Sequence, residues 1–233
     1  GRDYKVEKAT FEGFGPARTR AYQMIKDDCD WVLTMDADME MVGEIMIPEY
    51  GDAVTAVQVV EGRESRNIRL LGTHVNWTCI GLVHEYWKSD VYTDQVDGDF
   101  KFICHQDGGS NYTNKNRIYL DLLYQDKDSS RKFFYLGETL FNLRKFVEAL
   151  GYYEKCINLS ISAEEIWLCH FRIAKCMDMA GYSDSDILHK VKMTCFFRPT
   201  RIEPIYFMVK RLVADERFEL AYEFGKDYVD CKM

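Results

Sequence analysis

The chain has 233 residues, 47% of them hydrophobic and 29% charged, the balance of an ordinary globular protein holding one medium domain or two small ones. A net charge of −8 argues against a nucleic-acid surface, which needs a basic footprint. No apolar run approaches the roughly 20 residues of a membrane span, Gly1-Arg2-Asp3-Tyr4-Lys5 is not a signal peptide, and a cytoplasmic location is the expectation.

Residues 11–26 read as a loop with Gly13, Gly15 and Pro16 feeding an amphipathic helix that carries Ala17, Ala21, Met24 and Ile25 on one side. Trp31, Val32, Leu33 and Met35 then have the character of a short buried strand, with Asp36 and Asp38 where it emerges into a loop. Two hard oxygen ligands at a strand end suit Mg²⁺ or Mn²⁺, which keep positions open for water and substrate phosphates. Such a pair also serves simply as a turn and a helix cap. Residues 53–60 and 66–71 read as further strands around a turn at 61–65, and 100–104 as another, after a turn at Asp97-Gly98-Asp99. His84-Glu85 is followed by Lys88, so the zinc motif H-E-x-x-H is excluded.

Beyond Arg131 the period is helical throughout. Phe133, Leu136, Gly137, Leu140, Ala149, Tyr153 and Cys156 occupy the large and small positions of a tetratricopeptide unit, a helix-turn-helix of about 34 residues. A second unit is expected from Glu164, with Trp167, Phe171, Ala174 and Met177. A third is expected from Pro204, with Ile205, Met208, Leu212, Ala221 and Tyr228. Pro199 and Pro204 separate helix pairs, because proline is expelled from helix interiors. There are eight cysteines without a C-x-x-C pair, and Cys156, Cys169, Cys176 and Cys195 fall among apolar helical residues, where thiols act as small hydrophobes.

The order of Phe11, Phe14, Ala17-Arg18, Ala21, Ile25 and Asp30-Trp31-Val32-Leu33-Thr34-Met35-Asp36-Ala37-Asp38 resembles the family-two glycosyltransferases of the GT-A fold. In particular it resembles the bacterial and viral members with tetratricopeptide repeats behind the catalytic domain. Arg69-Leu70-Leu71, Trp77, Gly81-Leu82-Val83-His84-Glu85, Ile103-Cys104-His105 and Lys115-Asn116-Arg117 are similar to later segments of that group. The resemblance implies a GT-A-like α/β domain over residues 1–125, N-terminally incomplete because nothing before Phe11 supplies the nucleotide-binding strands. Tetratricopeptide-like repeats then follow over 126–233. It implies a nucleotide-sugar donor and an acceptor hydroxyl, with Mn²⁺ or Mg²⁺ held by Asp36, Asp38 and His105. Arg18, Asp36 and Arg117 would bind the donor, and Glu85 would be the general base. Trp77 and Trp87 would either stack on a sugar or fill the core. The competing expectation is a non-catalytic module, a remnant of that fold whose working surface is the repeat array binding a protein or peptide. A phosphohydrolase would need more carboxylates than Met39-Glu40-Met41 provides.

Overall fold

The computed structural model describes residues 5–105 and 112–229. The chain divides into two compact units, Gly1–Lys115 and Asn116–Met233. The expected loop Asp107-Gly108-Gly109-Ser110 and the side chain of Tyr228 lie outside the described residues.

In the first unit, helix α1 (Phe14–Ile25) precedes strands β1 (Trp31–Leu33), β2 (Met39–Val42), β3 (Ala53–Val60), β4 (Arg63–Gly72), β5 (Trp77–Ile80), β6 (Tyr86–Ser89) and β7 (Gln95–Cys104). Five strands form a mixed sheet in the order β1-β4-β3-β7-β2, with β3 and β7 parallel and the other neighbours antiparallel; β5 and β6 form a separate hairpin. Successive strand residues point to opposite faces. Accordingly Ala53 and Leu71 enter one core with Tyr22, Val32 and Trp77, while Val54 and Leu70 enter another with Phe100 and Phe102. Burial on both faces explains why β3 and β4 carry adjacent apolar residues instead of alternating ones.

Three local expectations are corrected. The turn between β3 and β4 is two residues long, Glu61 and Gly62, since Val60 already pairs with Arg63. Both have positive φ, 49° and 75°, as a tight hairpin matched to strand twist requires. Asp97-Gly98-Asp99 is not a turn; it lies inside β7, where the pairing with β3 shifts register as in a bulge. On α1 the inward residues are Gly15 and Tyr22, while Ala17, Ala21 and Ile25 face outward. Small apolar residues fit either side of such a helix, and the large Tyr22, whose hydroxyl donates to the Val75 carbonyl at 2.9 Å, decides the orientation.

The second unit holds α2 (Tyr112–Gln125), α3 (Ser130–Asn142), α4 (Phe146–Leu159), α5 (Ala163–Met179), α6 (Asp184–Phe197), α7 (Glu203–Ala214) and α8 (Phe218–Val229). From α3 onward the helices pack in sequence order as three hairpins, α3/α4, α5/α6 and α7/α8, each on the next. The same turn closes the first helix of each: Lys145 N–H donates to the Leu140 carbonyl, Tyr182 to Met177 and Arg217 to Leu212. The residue before each donor, Arg144, Gly181 or Glu216, has positive φ. This is a Schellman-type cap, in which a left-handed residue lets the chain reverse while satisfying the last carbonyls. Its recurrence fixes the equivalence of the hairpins: Leu136, Ile173 and Met208 correspond, as do Gly137, Ala174 and Val209. Gly137 packs on the Tyr153 ring so closely that a Cβ there would lie 2.6 Å from it. The second hairpin departs from expectation in one respect. His170, stacked on Phe197 at 4.7 Å, takes the first large position, and Trp167 sits a turn earlier.

Candidate functional site

The start of α1 is built against the β5–β6 hairpin. Phe14 and Gly15 amides, orphans of a helix N-terminus, donate to the carbonyls of Leu82 at 2.9 Å and Gly81 at 3.1 Å. Gly15 is required by this approach, since a Cβ would lie 2.3 Å from the Gly81 oxygen. One turn on, Arg18 reaches the hairpin loop, where its Nε donates to Glu85 Oε1 at 2.6 Å. Its Nη2 donates to Asp36 in the turn after β1. Arg69 of β4 stands on the other side of Asp36 at 4.0 Å, donates to Gln58 at 2.6 Å, and lies over the Phe102 ring. Two guanidinium groups and two carboxylates thus tie together α1, the β1–β2 turn, β4 and the β5–β6 loop.

The electrostatics follow from burial and pairing. Burial pulls the Arg18 guanidinium down, but Glu85 and Asp36 outweigh it and leave it raised. Arg69 is lowered, first by burial, with Arg18 adding to the effect and Asp36 opposing it. Beneath them, burial pushes the Cys79 thiol up to about 12, with Glu85 adding to the rise, so it is no nucleophile at neutral pH.

The structure therefore gathers Arg18, Asp36 and Glu85 from distant parts of the sequence, and adds Arg69 and Gln58, which sequence reasoning did not select. Asp38 and His105 are neighbours of another kind. The His105 amide donates to the Asp38 carbonyl at 3.0 Å, continuing the β2–β7 ladder, while the imidazole meets Glu40 at 2.9 Å. Arg117 is exposed on α2, in the second unit. Trp77 is buried, its indole N–H on the Gly72 carbonyl, and Trp87 packs on Tyr22. Among the described residues, no group of three or more His, Cys, Asp or Glu could hold a metal ion. A separate open cleft of about 890 Å³ is lined by Asp28, Asp30, Trp31, Tyr50, Asp52 and His74.

In the second unit the paired charges run between hairpins. Arg172 donates to Glu138 at 2.7 Å, Arg211 to Asp178 at 2.5 Å, Arg201 to Glu164 at 2.8 Å, and Arg217 pairs with Asp184. Partners stand 33 to 37 residues apart, one repeat. Along the first helices of the three hairpins, Glu138 and Asn142 correspond to Lys175 and Met179 and to Lys210 and Ala214. Glu138 is taken by the Tyr153 hydroxyl of α4 at 2.6 Å and by Arg172 of α5, whereas Asn142, Met179, Lys210 and Ala214 are exposed.

No family model and no curated protein matches the chain. Among solved structures it is similar to YrrB, described as a TPR protein with an unusual peptide-binding site, at 18% identity and TM-score 0.42 over 51% of this chain. It is also similar to MamA MSR-1 C2 at 17% and 0.41, and to a further MamA structure at 14% and 0.38, each over 51% of this chain. It spans 61%, 68% and 65% of those chains. None of the three is a glycosyltransferase. The expected membership of the glycosyltransferases, and with it the reading as an enzyme, is corrected: no comparison returns that family, and a GT-A fold is not shown. The manganese D-x-D site is corrected too. Asp36 is held by Arg18 and faces Arg69, and the His105 imidazole meets Glu40 instead of joining the two aspartates. What stands is an α/β unit with a mixed sheet and a unit of helical repeats, and among the described residues no helix is long and apolar enough to cross a membrane.

Proposed function

We propose that the chain is a binding module whose helical repeats hold a peptide segment of a partner protein. The carrying observation is the recurrence of one hairpin three times with the same capped turn, held in step by ion pairs one repeat apart. Such an array presents the same side of α3, α5 and α7 side by side, a continuous ridge of first-helix residues on a frame that needs no reordering to bind. The ridge offers an amide, two ammonium groups and a thioether, Asn142, Lys175, Lys210 and Met179, beside a Glu138 that is already tied to Tyr153 and Arg172. That set suits a peptide with apolar and acidic side chains, read by packing on Met179 and by charge at the lysines. The Arg18–Asp36–Glu85–Arg69 cluster is a structural tie in this reading.

Selection of displayed random peptides against the full chain tests it. Enriched peptides are expected to carry acidic residues beside an apolar anchor, and to lose at least about tenfold in affinity, some 1.4 kcal/mol, on Lys175→Glu or Met179→Glu. Enrichment of no sequence, or peptides that bind both variants equally, rejects the ridge as the site.

A further inference from the structure

The hairpin equivalence shows how each repeat is covered by the next. On the second hairpin, Trp167 lies under the Arg201 guanidinium at 4.1 Å, and the Phe171 ring meets the Phe207 ring edge-on at 6.0 Å. Asp178 takes Arg211, and Asp184, at the start of α6, takes Arg211 and Arg217. Leu188 packs against the core made with α7 and α8. Trp167 and Phe171 are consequently 1% and 8% exposed.

In the third hairpin the turn register puts Ile202, Tyr206 and Val213 in the places of Trp167, Phe171 and Asp178. Helix α8 begins one residue sooner after its turn than α6 does, which puts Phe218 and Tyr222 in the places of Asp184 and Leu188. In chain order these third-hairpin residues are 53%, 65%, 45%, 61% and 68% exposed. Five apolar side chains thus stand open on α7, on α8 and at the residue before α7, which is unusual for a face with no partner.

Two differences from the covered face say what fits this one. The carboxylates that receive arginines from a following repeat, Asp178 and Asp184, are replaced here by Val213 and Phe218. A helix bearing arginines like α7 would bury them unpaired, at a cost no apolar contact offsets. The face instead suits another apolar surface. Its flanking charges also differ in sign between the two helices, exposed Lys210 on α7 and exposed Glu219 on α8. A two-fold rotation that lays α7 of one molecule along α8 of another brings Lys210 of each copy toward Glu219 of the other, and the apolar residues against their own kind.

We infer that this face joins two copies of the chain in a two-fold dimer, centred on Tyr206, Val213, Phe218 and Tyr222 and flanked by reciprocal Lys210–Glu219 pairs. Of its residues only Lys210 also belongs to the peptide-binding ridge; the apolar centre of the face is separate from that ridge, and the inference does not rest on that reading.

Sedimentation velocity on the full chain over roughly 1 to 200 µM, a range that spans weak to moderate association, tests the inference. A monomer–dimer equilibrium is expected. Tyr206→Glu and Tyr222→Glu, each with an unchanged far-ultraviolet circular dichroism spectrum, should leave only monomer. Lys210→Glu should raise the dissociation constant at least about tenfold, and Lys210→Glu with Glu219→Lys should restore it, while Met179→Glu leaves it unchanged. A chain that stays monomeric, that forms open-ended larger assemblies, or whose dimer ignores Tyr206→Glu overturns the inference. Failure of the double charge swap to restore association overturns the Lys210–Glu219 register.

Discussion

Arg18 shows how one side chain holds several elements. Removing it leaves Glu85 without the arginine it pairs with and Asp36 with only the more distant Arg69 at 4.0 Å, so Arg18→Ala should cost about 1 to 3 kcal/mol of stability, the range for breaking a partly buried pair. Chemical denaturation measures it, and a loss below about 0.5 kcal/mol would show the cluster to be as weak as a surface pair. His170 makes a different point. Burial first, and then Lys190, lowers its pKa from 6.5 to about 4. A lowered pKa means the folded state binds fewer protons than the unfolded one, so stability is whole above about 6.5 and falls as pH drops toward about 4. His170→Phe keeps the stack on Phe197 and should flatten the melting temperature across that window. A wild-type melting temperature that does not fall between pH 6.5 and 4 contradicts the burial argument.

Elements in the second unit are aligned by close approach and by charge. Gly137→Ala places a methyl group into the Tyr153 ring, whose hydroxyl is fixed on Glu138 at 2.6 Å. Because the ring cannot move without losing that bond, the substitution should destabilise by about 1 to 3 kcal/mol, although alanine is intrinsically the better helix former. Thermal unfolding of the variant decides between the two effects. Glu138 also receives Arg172 from the next hairpin, so Glu138→Gln and Arg172→Met should be coupled. A double-mutant cycle is expected to return about 0.5 to 1.5 kcal/mol. A cycle that closes to zero would mean the hairpins are held in step by apolar packing alone.

The whole chain consists of two units with separate cores. Residues 112–233 contain complete helices and the core cluster around Ile187, Val191, Met208 and Leu212. Expressed alone, this stretch should fold as a helical array, because repeat stability is the sum of local units and their nearest-neighbour contacts. Circular dichroism with a cooperative thermal transition is the expected result, and a non-cooperative melt would show that the helical array needs the α/β unit.

Short-range patterns carried a large part of this architecture in the sequence itself. The β1 and β3 segments were legible because apolar runs bounded by turn residues need no distant information. The α3/α4 hairpin was legible because large and small residues recur at fixed offsets, and the second and third hairpins echoed it. The small strand β2 and the β5–β6 hairpin were not legible, since their residues alternate weakly and pair only through the ladder. Arg18, Asp36 and Glu85 could be singled out one by one, yet whether they form a metal site or an internally neutral tie depends on which charges fold against them. Arg69 lies far from Asp36 in the sequence, and only the fold brings the two to 4.0 Å. In the same way the third repeat reads in the sequence on Ile205, Met208, Leu212 and Ala221, and nothing there marks Tyr206, Phe218 and Tyr222. Only the tertiary structure, which covers their counterparts Phe171, Asp184 and Leu188 with the next hairpin, shows that these three stand open. Local pattern determines the elements because it acts within a few residues; tertiary packing decides pairing and exposure because those depend on groups brought together from across the chain.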